Sequence, residues 1–255
     1  MFGRRKRRRE QIRSQPFPPE WWHWIVVNVP YVNTLNEADQ RELKGHIRVL
    51  LDEKRFEGCG GLEITNEIRV TIAAQAALLL LHRETEYYPT LKSILVYPTA
   101  FKSHLTVPRP DGTVIEGEVA RRGESWFRGS LVLSWHDVKR GADHPGDGRN
   151  VVLHEFAHQL DGESGAMDGA PALPSSGCYR AWAEVLGDEY RDLLRSVHQR
   201  HHHLLDRYAA TNPPEFFAVA TEFFFEQPYM MRLHHPDLYE QLSEFYQQDP
   251  AANLG

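Results

Sequence analysis

His154, Glu155 and His158 stand in the order H-E-x-x-H within the stretch Asn150 to Gly162, NVVLHEFAHQLDG. Residues four apart on a helix share a face and lie about 6 Å apart along its axis. Two imidazoles so placed can point at one metal ion. Tetrahedral zinc accepts such a pair and leaves room for a third protein ligand and a water. Glu155 lies part of a turn round the helix, beside the ion, where a carboxylate can take a proton from an attacking water. Val151, Leu153, Phe156, Ala157 and Leu160 are uncharged and would bury the remaining faces. Asp161 falls on the histidine face, where it either orients a ligand imidazole or ends the helix. The pattern predicts one zinc ion per chain.

The third ligand must come from further along. Asp161, Gly162 and Glu163 follow the motif, so the longer H-E-x-x-H-x-x-G-x-x-H form is absent. A distant acid is expected, and RYAATNPPEFFAVATEFFFEQP offers Glu215, Glu222 and Glu226. Glu215 also has an ordinary reading. Asn212 is a good helix N-cap, Pro213 suits the first helical position, and Glu215 at the third completes a capping box. Glu222 lies seven residues on and shares that face, so spacing leaves Glu215 and Glu222 both open. The phenol of Tyr208 could donate to the oxyanion of a tetrahedral intermediate, or simply pack at the helix start. His201, His202 and His203 are consecutive and would point apart, so a polar helix end is expected there instead of a second metal site.

The elements that must hold these residues can be read from periodicity. QPFPPEWWHWIVVNVPYV reads as an irregular segment pinned by Trp21, Trp22 and Trp24. Leu35, Leu43, Ile47, Leu50 and Leu51 recur at helical spacing behind the cap Asn36, and Thr65 caps a second helix from Asn66 to about His82. Ser93 to Phe101 is strand-like, and PDGT at Pro110 to Thr113 signals a turn in a β-excursion. Ser130 to Trp135 is a second strand, expected at the sheet edge beside the metal helix, where an extended peptide could join it. Long helical patterns follow. Strands before helices indicate an α+β fold with a small mixed sheet. The expected division is a basic, disordered tail over 1–14, a helical N-terminal lobe over 15–90, and the catalytic region over 91–255.

The chain has 255 residues and a net charge of −6. The acidic balance argues against nucleic acid as the partner. No run of about 18 apolar residues occurs, so no membrane span is expected. Cys59 and Cys178 are too few for a disulfide framework. The start, MFGRRKRRRE, is basic with no apolar segment behind it, so no secretory signal and a cytoplasmic location are expected.

NVVLHEFAHQLDG, RYAATNPPEFFAVATEFFFEQP and the ending FYQQDP together resemble the Mlc titration factor A family of zinc peptidases. GGLEIT and SLVLSWHDV extend the likeness over nearly the whole chain after the basic run. The catalytic part of that family is similar to the peptidase domain of anthrax lethal factor, which implies a zincin-like fold. The resemblance implies that the third ligand is Glu215, within P-P-E-F-F, and that Tyr208 faces the metal. It further implies a gluzincin, aminopeptidase-like activity on short peptides. It also implies binding to the transcriptional repressor Mlc, with a link to control of the glucose phosphotransferase system. The expected partners are thus a peptide substrate and Mlc, with no nucleic acid and no membrane, and the chain is expected to be a monomer. The rival reading is a non-catalytic protein that sequesters a repressor. Glu155 speaks against it, because a structural zinc needs no base.

Overall fold

The computed structural model describes residues 2–108, 114–121, 123–127 and 129–253. Four helices come first: α1 (Phe2–Arg13), α2 (Pro19–Asn28), α3 (Glu37–Glu53) and α4 (Asn66–Leu78). Strand β1 (Arg55–Gly58) lies between α3 and α4. Then follow β2 (Ser93–Tyr97), β3 (Phe101–Pro108), β4 (Val114–Arg121), β5 (Gly123–Phe127) and β6 (Ser130–Ser134). The rest is helical: α5 (Trp135–Asp143), α6 (Val151–Asp161), α7 (Ser176–His198), α8 (Pro213–Glu226), α9 (Pro228–His234), α10 (Pro236–Tyr246) and α11 (Pro250–Asn253).

The main sheet has the order β1-β2-β6-β5. β1, β2 and β6 run parallel, and β5 runs antiparallel to β6. This is the small mixed sheet of the expected α+β fold. Ile94 pairs with Leu131 and Val96 with Leu133, so one face carries aligned apolar rows. All four side chains are buried, each contributing on the order of 1.5–3 kcal/mol. α6 packs against α8, α4 and the strands β5 and β6, which sets the metal-motif helix between the sheet and the C-terminal helices.

The structure corrects the placement of the sheet edge. Ser130 to Ser134 is an inner strand, because the chain doubles back and β5 covers its outer side. The reversal passes through Gly129 at φ +80°, where a Cβ would come within 2.8 Å of the Thr90 carbonyl oxygen. Gly129 O in turn accepts from the amides of Lys92 and Ser93. The hairpin β3–β4 bears out the expected β-excursion, while the PDGT turn itself falls outside the described residues.

Three N-terminal expectations also change. Residues 2–13 form helix α1, where a disordered tail was expected. Arg9 anchors it, at 7 % exposure, donating to both carboxylate oxygens of Glu53 and to the side chain and carbonyl of Glu86. Ile12 joins the core, and Arg8 pairs with Asp52. The tryptophan segment is helix α2, started by Pro19 at the first helical position. Its rings are partly buried, and Lys44 sits 4.0 Å above Trp22. The division at residue 90 falls inside one sheet, since β1 pairs along β2.

The predicted caps hold: Asn36 accepts from Ala38 and Asp39, and Thr65 from Ile68. Both cysteines are free thiols. Among the described residues, no helix is long and apolar enough to cross a membrane.

Candidate metal centre

α6 begins at Asn150, whose side chain accepts from the Leu153 amide. An Asn directly before an apolar helical run is a cap signal that the sequence carried in plain view. The helix then turns His154, Glu155 and His158 to one side while Val152, Leu153, Phe156, Ala157 and Leu160 enter the core. α8 lies alongside. It starts at Asn212, which accepts from the Glu215 amide, with Pro213 at the first helical position.

Glu215 makes only half of the capping box. Its backbone amide is capped, but its carboxylate turns to the histidines. Oε2 lies 3.0 Å from His154 Nε2 and 3.4 Å from His158 Nε2. The two Nε2 atoms are 3.2 Å apart. His154, His158 and Glu215 therefore form a group that could hold a metal ion, with ligand atoms all within 4.8 Å of one another.

Glu222 has a different task. One carboxylate oxygen receives the His154 Nδ1 at 2.7 Å, and the other receives the Asn150 amide at 2.5 Å. The bond at Nδ1 holds a ring proton there, so that Nε2, beside Glu215 and His158, would be the atom to turn a lone pair to a metal ion. Replacement by Gln would present an N–H to one of these donors. Glu222→Gln should therefore lower unfolding stability by about 1–3 kcal/mol, the cost of an unsatisfied buried donor. Urea titration of the two proteins checks this, and an unchanged midpoint would refute it.

Charge and burial are balanced tightly here. Burial works against a proton on His154, but Glu222 and Glu215 outweigh it and raise its pKa well above the histidine range. Burial lowers His158, with the charge of His154 adding to the effect. Burial also works against the charge on Glu215, yet the two histidines hold its carboxyl far below the usual carboxylate range. Glu155 is pushed up to about 8, first by burial, and its Oε2 has no hydrogen-bond partner.

Tyr208 lies in a short 3-10 turn, Arg207–Ala210, ahead of α8. Its ring sits 6.0 Å from that of His154, and the residue is 53 % exposed. Asp206 holds the turn by accepting from the Tyr208 amide, and Arg149, next to the α6 cap, pairs with Asp206. The structure thus gathers all five predicted residues: His154, Glu155, His158, Glu215 and Tyr208. His203 goes elsewhere, next to the ring of His235.

A model of the family described as glucose-regulated metallo-peptidase M90 matches residues 3–247. The chain belongs to this family. Among its relatives, the uncharacterized protein slr2042 of Synechocystis sp. is 40 % identical over 248 residues, covering 96 % of this chain and 90 % of that one. Mlc titration factor A of Yersinia pestis is 30 % identical over 250 residues, covering 91 % of this chain and 86 % of its own. Mlc titration factor A of Yersinia pseudotuberculosis matches to the same extent. The resemblance read from the motifs is borne out. In this M90 chain, the match spans the α6 and α8 segments that carry the histidines and Glu215.

The loop between α6 and α7 indexes these helices. Asp161, the last residue of α6 and fully buried, accepts from the Gly169 amide with both oxygens. Trp182 of α7 donates to the Gly169 carbonyl at 2.9 Å. Gly169 has φ +81°, and a Cβ there would lie 2.6 Å from the Pro213 carbonyl oxygen, two residues before Glu215. Gly169→Ala should cost at least about 1 kcal/mol in this left-handed conformation, and displace the start of α8. Thermal unfolding reads the first effect; a melting temperature equal to that of the parent protein would contradict it.

Proposed function

We propose that this chain is a zinc-dependent peptidase of the gluzincin type, with His154, His158 and Glu215 as the protein ligands. The observation that carries the reading is the convergence of these three ligand atoms at 3.0 to 3.4 Å from one another. Tetrahedral zinc, with bonds of about 2.0–2.1 Å, sets its ligands roughly 3.3 Å apart. Two imidazoles and one carboxylate are the donor set that zinc takes in hydrolytic sites, and three protein ligands leave a position open. The Nδ1 bond to Glu222 suits the reading, since it keeps Nε2 of His154 as the donor atom.

A bound zinc ion supplies Lewis acidity to a substrate carbonyl and to water. The chain's own groups do the rest. Glu155 takes a proton from the attacking water at its unpartnered Oε2 and delivers it to the nitrogen of the leaving amine. Tyr208, exposed beside His154, donates its phenol proton in a hydrogen bond to the oxyanion of the tetrahedral intermediate. β5 is the outer strand next to α6, and an extended peptide would add to it through backbone hydrogen bonds. Short peptides, aminopeptidase-like cleavage, a cytoplasmic setting and a monomeric state complete the reading, on the strength of the family resemblance.

The name Mlc titration factor A, borne by the Yersinia relatives, favours a second role in binding Mlc, linked to control of the glucose phosphotransferase system. Hydrolysis and sequestration are separable by experiment. Purified protein should carry about one zinc per chain and cleave members of a fluorogenic short-peptide library. His154→Ala/His158→Ala should lose both. Full zinc retention in that double variant would sink the site, and zinc without any cleavage would leave sequestration as the function.

A further inference from the structure

A cavity of about 260 Å³ opens beside the start of α6. By the same measure, one water needs only about 10–15 Å³. None of His154, Glu155, His158, Glu215 or Tyr208 lines it. Val29, Leu78, Leu153 and Phe225 form an apolar wall, and Gln75, Asn150 and Glu226 bring polar groups from α4, the α6 cap and the end of α8. The mix of an apolar wall with a few convergent polar groups is that of a small-molecule site.

Two of these groups have capacity to spare. Gln75 is 2 % exposed and lines the cavity, and among the described residues its side-chain amide has no hydrogen-bond partner. Buried amides are nearly always bonded, so one left open to a cavity marks a place for a ligand. Glu226 accepts one bond at each oxygen, from Gly146 N at 2.8 Å and Asn150 Nδ2 at 3.2 Å. Each oxygen retains a further lone pair. Asn28, by contrast, has both amide hydrogens committed, to Glu67 and Thr71, and its oxygen accepts from Lys139. No Lys, Arg or His is among the described residues lining the cavity. Glu226 therefore lacks a counter-ion there, and burial pushes it up to about 7.

We propose that this cavity binds a small primary amine with an apolar body. The ammonium group meets Glu226, the body lies against Phe225 and Leu78, and a hydroxyl or amide substituent bonds to Gln75. An anion of the same shape is excluded, because the lining offers it no cation. The inference stands apart from the peptidase reading, since it uses none of the metal-centre residues.

Tyramine is the probe, with phenethylamine as its analogue lacking the hydroxyl and 3-(4-hydroxyphenyl)propionate as the anion of similar shape. Calorimetric titration of the full chain should give one tyramine site and no binding of the anion. Glu226→Gln should weaken tyramine by about tenfold or more, as loss of a charge-assisted bond requires. Gln75→Leu should abolish the preference for tyramine over phenethylamine while leaving phenethylamine unchanged. His154→Ala/His158→Ala should bind tyramine as the parent protein does. The proposal is overturned if tyramine does not bind, if the anion binds equally, or if the histidine variant loses the amine. Should Glu226→Gln fail to fold, the tyramine preference in Gln75→Leu decides: its survival refutes the site.

Discussion

Glu155→Gln is expected to lower peptide turnover by about 100-fold or more while zinc stays bound, since general-base help is worth that much. The structure makes this a clean substitution. Glu155 is buried, and its Oε2 has no hydrogen-bond partner to lose. Gln has the same shape and no charge, so the helix and the three ligands stay in place. What disappears is the ability to accept a proton from water and return it to the amine. Metal analysis and steady-state turnover on the same preparation check both halves. Turnover near that of the parent protein, with zinc retained, would remove Glu155 from the mechanism.

The second large effect is at Glu215. As a ligand it supplies an anionic oxygen, and Glu215→Gln should sharply reduce both zinc affinity and turnover. As a helix cap it would tolerate Gln, at a cost of at most about 1 kcal/mol. Its carboxylate lies against both Nε2 atoms, so the ligand outcome is expected. Glu222→Gln is the comparison. It touches only the Nδ1 side of His154, and loss of such a partner costs roughly 10–100-fold in metal affinity without removing a ligand. A Glu215→Gln protein that keeps zinc and activity while Glu222→Gln loses both would reverse the assignment.

Much of this centre is local and could be read in the chain. His154 and His158 share a face because the helix repeats every 3.6 residues, and Asn212 before two prolines announces where α8 begins. Spacing could not divide Glu215 from Glu222, because both lie on one face of α8; their roles depend on how far each is from the α6 cap. Only the packed pair of helices decides that Glu222 reaches Asn150 N and Glu215 reaches the Nε2 atoms. The basic start misled for a similar reason. Its composition is that of a solvated tail, but Glu53 and Glu86, far apart in sequence, come together round Arg9. The sheet edge was misplaced because β5 carries too weak an apolar alternation to announce itself beside β6.

Glu222, on α8, ties the N-cap of α6 to the histidine face of that same helix, and this has a consequence for the newborn chain. When α6 leaves the ribosome, its two histidines have neither the carboxylate that completes their triangle nor the one that sets their tautomer. Both arrive on α8, more than 50 residues later. Chains grow at roughly 5–20 residues per second, so for several seconds the H-E-x-x-H segment exists without its counterpart. During that interval it binds metal no better than any pair of histidines. The triangle of His154, His158 and Glu215 thus cannot assemble before the helices that enclose it.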